Sequence, residues 1–210
     1  YLGGSANDST TTDANGNYSF VGLGPGTYNL NEGVQTGWQQ TTSNPSAITT
    51  ASGTNVSGQD FGNFQLGIIS GMKFSDANGN GVKDPLETGL EGWIIFIDAN
   101  DNLLFDAGES HDTTDGNGNY QIGNLFVGTY KVREANQTGW TQTTTNPADV
   151  VVTSSGQTFT GIDFGNFRQA MISGYKYEDM NGDGTRQSGT EPALSGWEIS
   201  ASKGLAVKKD

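Results

Sequence analysis

Six short stretches of this 210-residue chain recur in the same order about one hundred residues further on. Asp13-Ala-Asn-Gly-Asn-Tyr18 returns as Asp115-Gly-Asn-Gly-Asn-Tyr120, Gly26-Thr-Tyr28 as Gly128-Thr-Tyr130, and Thr36-Gly-Trp38 as Thr138-Gly-Trp140, all at an offset of 102. Asp60-Phe-Gly-Asn-Phe64 and Ile69-Ser-Gly71 return 103 residues later, as Asp163-Phe-Gly-Asn-Phe167 and Ile172-Ser-Gly174. Leu90-Glu-Gly-Trp93 returns as Leu194-Ser-Gly-Trp197 at 104. Such a period is too long for a solenoid unit and fits tandem whole domains. The chain is cut out of phase with it. Residues 67–168 hold a complete unit, 1–66 only the later part of one, and 169–210 only the early part of another. The two partial units are complementary. Joining the end of one copy to the start of another gives a Trp-to-turn span close to that of the intact unit.

The local patterns are β throughout. In Thr129-Tyr-Lys-Val-Arg-Glu134, residues Tyr130, Val132 and Glu134 share one face, and Lys131 and Arg133 the other. Asn-Gly pairs at 15, 78 and 117 mark tight turns, because both residues tolerate positive φ. Short strands, glycine-rich turns and about 100 residues per unit predict a β-sandwich of roughly seven strands. The expected fold class is all-β: tandem Ig-like or prealbumin-like sandwiches, one complete and two partial.

Composition removes most functions. A net charge of −13 argues against nucleic acid as a partner. No run approaches the length of a membrane span. Zero cysteines exclude a disulfide scaffold, a zinc-thiolate site and a thiol nucleophile. The single histidine, His111, comes without a nucleophile elbow. An enzyme is therefore not expected.

Two loops carry the ligand spacing of a twelve-residue calcium loop. Asp76, Asn78, Asn80, Asp84 and Glu87 fall at positions 1, 3, 5, 9 and 12, with Val82 supplying the carbonyl at 7 and Gly81 at 6. Asp98, Asn100, Asn102, Leu104, Asp106 and Glu109 repeat the set, except that Leu103 stands where the tight turn wants glycine. A third loop keeps Asp179, Asn181, Asp183 and Thr185. It has Thr190 at position 12 and Glu191 one residue late. Hard oxygen donors suit Ca²⁺ and not a transition metal. The competing reading is a set of acidic turns without metal. Asp13-x-Asn15 and Asp115-x-Asn117 lack positions 9 and 12 and read as hairpin turns.

Glu134 shares parity with Tyr130 and Val132, and Glu32 with Tyr28 and Leu30. A carboxylate on an apolar face must be neutral, paired or hydrogen-bonded. Asn166 shares parity with Phe164, and Asn63 with Phe61. Lys73 and Lys176 lie in the first strand of their repeats.

The runs ISGMKFSDANGNGVKDPLETGLEGW, TTDGNGNYQIGNLFVGTYKVRE, GWTQTT and GIDFGNF resemble the SdrD B-like domain, a calcium-binding relative of the Cna B-type domains of bacterial surface adhesins. The resemblance covers nearly the whole chain. It implies calcium-stiffened sandwiches strung as beads in an extracellular, cell-surface protein, without catalysis. From Cna B-type domains it further implies an internal Lys–Asn isopeptide bond, with Lys73, Glu134 and Asn166 in one set and Lys176, Glu32 and Asn63 in the other. The alternative is a buried Lys–Glu pair beside a bonded Asn.

The functional expectation is a structural subunit of an extracellular fibre or surface stalk. Its first partner is itself: residues 169–210 complete residues 1–66 of the next subunit by donor-strand complementation, and a head-to-tail contact that does not close gives a filament. The rival account is a stretch of a longer repeat protein whose missing halves are neighbouring repeats. An adhesin or carbohydrate-binding module is the second expectation, with a glycan or protein ligand held on Trp38 or Trp140.

Overall fold

A strand persists only where a neighbour takes up its backbone N–H and C=O groups, and the computed structural model, which describes residues 8–202, shows that rule at work on the two kinds of repeat. The expectation drawn from joined termini rests partly on residues 1–7 and 203–210, outside the described residues. In the N-terminal part both pairings are internal to it. β1 (Gly26–Tyr28) lies antiparallel to β3 (Ile48–Thr50), and β2 (Trp38–Gln40) to β4 (Asn63–Gln65). After the single residue Leu66 the chain enters β5 (Gly67–Ser75). No linker separates the two repeats. The rings of Phe64 and Phe126 sit 4.4 Å apart. The Gln65 N–H donates to Ser155 Oγ at 2.8 Å, and the Gly156 N–H to the Gln65 carbonyl at 2.8 Å.

The complete repeat continues with β6 (Ile94–Ile97), β7 (His111–Thr113), β8 (Asn119–Leu125), β9 (Gly128–Tyr130), β10 (Val132–Glu134), β11 (Trp140–Gln142), β12 (Val150–Val152), β13 (Thr158–Phe159) and β14 (Phe164–Arg168). One sheet is centred on β5, with β8 antiparallel on one side and β13 and β14 parallel on the other; β11 flanks β14. The opposite layer contains β10-β6-β7 and the pair β12-β9. The Tyr130-to-Glu134 run is interrupted at Lys131: β9 pairs with β12, and β10 then turns to β6. The core draws Ile69, Tyr120, Ile122, Leu125 and Phe164 from the first layer and Ile95, Ile97, Val132, Val150 and Val152 from the second. That is a β-sandwich, each buried aliphatic or aromatic side chain worth about 1.5–3 kcal/mol of burial. No helix occurs among the described residues, so the fold is all-β.

The first and last strands are parallel neighbours, with Phe164 opposite Lys73 and Asn166 opposite Ser75. The chain therefore enters at the start of β5 and leaves beyond its far end. Nine residues of strand separate these poles by about 30 Å.

Residues 169–210 form a second compact unit. Among its described residues there is one isolated bridge, Tyr177 to Ala193, and no paired strand.

Candidate functional site

Three elements bring one polar cluster into the sandwich. Lys73 points inward from β5 and Asn166 from β14 next to it, while Glu134 reaches across from β10 in the opposite layer. All three are buried. Lys73 Nζ donates to Glu134 Oε2 at 2.7 Å and to Asn166 Oδ1. Asn166 Nδ2 donates to Glu134 Oε1 at 2.7 Å. One carboxylate thus bridges the amine and the amide nitrogen. Trp93 closes the site, its ring centroid 4.2 Å from Nζ. Burial pushes the Lys73 amine down to about 8, against the opposing charge of Glu134 and its hydrogen bond. Trp93 was not singled out from sequence as part of this cluster. The signal was there, since the Leu-x-Gly-Trp stretch recurs beside each lysine strand.

The second set of residues behaves differently. Glu32 is half-exposed and Asn63 exposed in the first unit, and Lys176 is exposed in the second. The expectation from parity that Glu32 and Asn63 face inward is corrected here. Among residues 8–66 no strand takes the places that β6 and β5 hold beside the strands of their counterparts Glu134 and Asn166. Lys176 does keep one companion, with Nζ 4.7 Å from the Trp197 ring centroid.

The three loops share one hydrogen-bond plan. Asp76 accepts from the N–H groups of Gly79, Asn80 and Gly81 at 2.7, 3.1 and 2.7 Å. Glu87 closes the loop by accepting from Ala77 N–H at 2.8 Å and Asp84 N–H at 3.0 Å. Asp98 likewise accepts from the N–H groups of Asn102 and Leu103, and Glu109 from those of Ala99 and Asp106, each at 2.9 Å for Glu109. In the third loop Asp179 accepts from Gly182, Asp183 and Gly184. There Glu191 accepts from Met180 N–H at 3.1 Å and Gln187 N–H at 2.9 Å. Glu191, and not Thr190, therefore holds the closing position; the extra residue is absorbed in the turn before it. The doubt over Leu103 is also resolved. Leu103 adopts φ 64° and Asp101 φ 60°, matching Gly81 at 75° and Gly79 at 72°. The loop keeps its shape at the cost of two side chains in the left-handed region.

Every donor in these loops is an oxygen, which fits Ca²⁺. The present side-chain arrangement is not a closed cage. Asn78 and Asn80 turn their amide nitrogens to Asp84 Oδ2 at 2.7 and 3.1 Å, and Asn100 and Asn102 do the same to Asp106. Among the described residues no three His, Asp or Glu side chains converge on one point. Asp13 and Asp115 accept from the N–H groups two and four residues on, at 2.8–2.9 Å, as hairpin turns do. Trp140 packs edge-on against Trp93 with centroids 5.7 Å apart and is partly buried. Trp38, its counterpart, is 39% exposed.

Residues 65–163 match the SdrD B-like domain. The chain is 30% identical over 215 residues to serine-aspartate repeat-containing protein F of Staphylococcus epidermidis, covering 90% of this chain and 13% of that protein. It is 31% identical over 210 residues to serine-aspartate repeat-containing protein D of Staphylococcus aureus strain MW2, covering 88% and 15%. The chain thus spans a small part of these relatives' length. Among solved structures, the major pilin subunit BcpA of Bacillus cereus aligns at 21% identity and TM-score 0.35, over 52% of this chain and 35% of that one. The major pilin SpaD of Corynebacterium diphtheriae aligns at 18% and 0.31, over 53% and 33%.

Proposed function

Residues 65–163 are an SdrD B-like domain, and from that premise we propose that the chain is a structural stretch of an extracellular, cell-surface stalk whose repeats are locked by an internal isopeptide bond and stiffened by calcium. The observation that carries this reading is the buried cluster of Lys73, Glu134 and Asn166. Glu134 takes a proton from Lys73 Nζ, and the neutral amine attacks Asn166 Cγ. The new C–N bond forms as the Cγ–Nδ2 bond breaks. Glu134 hands that proton to the departing nitrogen, which leaves as ammonia, and then takes up the second proton that the attacking nitrogen sheds as the amide N–H is left behind, so that the glutamate ends protonated. Burial serves this step by lowering the amine, and the bridging carboxylate already touches both nitrogens. The reaction runs once per domain and has no turnover.

The position of the bond supports a mechanical role. Tension between repeats enters at Gly67 and exits at Arg168. A Lys73–Asn166 link passes that tension between the parallel first and last strands and bypasses residues 74–165. Bound calcium would be held by Asp76, Asn78, Asn80, Val82, Asp84 and Glu87, by Asp98, Asn100, Asn102, Leu104, Asp106 and Glu109, and by Asp179, Asn181, Asp183 and Thr185 with Glu191. It supplies charge neutralisation and binds the folded loops in preference to the unfolded chain. The test is an intact mass of the purified chain. A mass short by one ammonia is expected, restored to the full value in Glu134→Gln; a full mass in the parent chain removes the crosslink from this reading.

A further inference from the structure

The junction between the N-terminal part and the complete repeat reaches into a hydrophobic core. Phe64 lies in β4 and pairs through its backbone with Gln39 of β2, inside the N-terminal part. Its ring leaves that part and packs against the core of the complete repeat, where it meets Phe126 at 4.4 Å between centroids. Phe126 directly follows Leu125, one of the buried residues of that core. The chain then passes between the two layers of the sandwich. A Cβ at Gly67 would stand 3.3 Å from the Leu125 carbonyl oxygen of one layer and 3.5 Å from Val152 Cγ1 of the other. The backbone beside the ring is pinned as well. Ser155 Oγ accepts from the Gln65 N–H, and the Gln65 carbonyl from the Gly156 N–H, each at 2.8 Å. The turn that offers both groups is shaped by Gln157, whose side-chain oxygen accepts from the Thr153 and Ser154 N–H groups at 2.7 and 3.1 Å. The Leu66 N–H returns to the Gly37 carbonyl of the N-terminal part at 2.8 Å, and the Ile68 N–H goes to the Gln157 carbonyl at 3.0 Å. This short stretch of backbone is thus bonded to both repeats.

We infer that Phe64 is a shared core residue: it plugs the entry pole of the complete repeat, so that the stability of this repeat depends on the repeat before it. The receiving surface is Phe126 with the Ser155–Gly156 turn, and its occupant is the tail of the preceding repeat, residues 63–66. Only Phe64 is recognised through its side chain. Gln65 is held through its N–H and C=O, and Gly156 leaves room for its side chain, since a Cβ there would stand 2.7 Å from Gln65 Oε1. A ring buried between two repeats loses its cover when either one opens, which couples their opening. The repeats are therefore interdependent neighbours and not separate beads. Neither the crosslink nor calcium takes part in this coupling. The seat is also not a constant feature of the repeat, because the N-terminal part has Gly24 where the complete repeat has Phe126. The match to the SdrD B-like domain begins at residue 65. The folding unit thus extends one aromatic residue upstream of the unit recognised in sequence.

The test is hydrogen exchange of the 210-residue chain, read by mass spectrometry at saturating calcium. Phe64→Ala should speed exchange about tenfold in residues 122–130 and 150–157, the segments at the entry pole. Phe64→Leu keeps an apolar plug and should recover most of that protection. Phe61→Ala is the control. Phe61 meets Tyr18 inside the N-terminal part, with centroids 6.1 Å apart, and its loss should leave both segments unchanged. Phe126→Ala should in turn speed exchange in residues 38–40 and 63–65. The Phe64→Ala/Phe126→Ala double variant should exchange more slowly than the product of the two single effects, because both remove the same contact. Unchanged protection of 122–130 and 150–157 in Phe64→Ala, an equal effect from Phe61→Ala, or a fully multiplicative double variant would overturn the inference. Intact mass of the same samples reads the ammonia loss separately, so failure of the crosslink and failure of the coupling are told apart.

Discussion

The complete repeat and the N-terminal partial repeat share their motifs yet end in different states. Their local bonds are nearly superimposable. Tyr130 and Tyr28 each donate to the carbonyl four residues back at 2.9 Å. Gln142 and Gln40 each reach the carbonyl two residues on, at 2.9 and 2.8 Å. Thr143 and Thr41 donate to the glycine carbonyls at 165 and 62, at 2.8 and 2.9 Å. What differs is everything that needs a strand from the early part of the unit. Turns and internal hairpin-like pairs are written into short segments; sheets and buried polar clusters are collective. The same glutamate that is buried at 134 is half-exposed at 32.

The sharpest way to break this comparison is to remove that glutamate in both places. Glu134→Ala leaves Lys73 buried without its counter-charge and should cost about 3–5 kcal/mol in chemical denaturation, besides the crosslink. Glu32→Ala should leave the denaturation curve where it was. Equal effects would mean the two repeats are equivalent after all. Next in size is calcium. Saturating a loop at a hundred times its dissociation constant adds about 2.7 kcal/mol, so excess chelator should lower the melting temperature of the complete repeat. Asp76→Ala and Asp98→Ala should each weaken calcium binding by calorimetry, and Asp13→Ala should not.

A further comparison separates the buried amine from an ordinary one. Asn166→Ala keeps Lys73 and Glu134 but cannot crosslink. Lys73 titrates at about 8 in the fold against its ordinary 10.5. Between these values the unfolded chain holds more protons, so the stability of this variant should rise with pH from about 8 to about 10.5. A flat profile there would deny the burial of the charge. The smallest effect compares the two loops. Leu103→Gly should relieve left-handed strain and stabilise by about 1 kcal/mol, while Gly81→Ala should destabilise by about 1–2 kcal/mol, both read by thermal unfolding.

Parity alone set Glu134 on the face of Val132, and the recurring lysine and asparagine strands marked the two ends of the unit. The twelve-residue spacing marked the loops. The sheet switch at Lys131 was not legible, because an alternating run looks the same whether one partner or two take its hydrogen bonds. The closing role of Glu191 was missed since spacing counts residues, whereas a carboxylate finds whichever N–H groups the turn presents. Leu103 was suspect because propensity disfavours it; the surrounding loop bonds outweigh about 1–2 kcal/mol of strain.

The amino-acid sequence by itself determined the repeat, the β character, the acidic oxygen-rich loops and the inward parity of Glu134 and Asn166, because these depend on spacing and residue chemistry. Only the tertiary structure decided which lysine, glutamate and asparagine meet. Lys73 and Asn166 lie on neighbouring parallel strands at opposite ends of the repeat, and Glu134 reaches them from the facing layer. Whether a repeat's polar residues are buried, as at 73, 134 and 166, or left exposed or half-exposed, as at 32 and 63, depends on which strands lie beside them. No short stretch of residues carries that information.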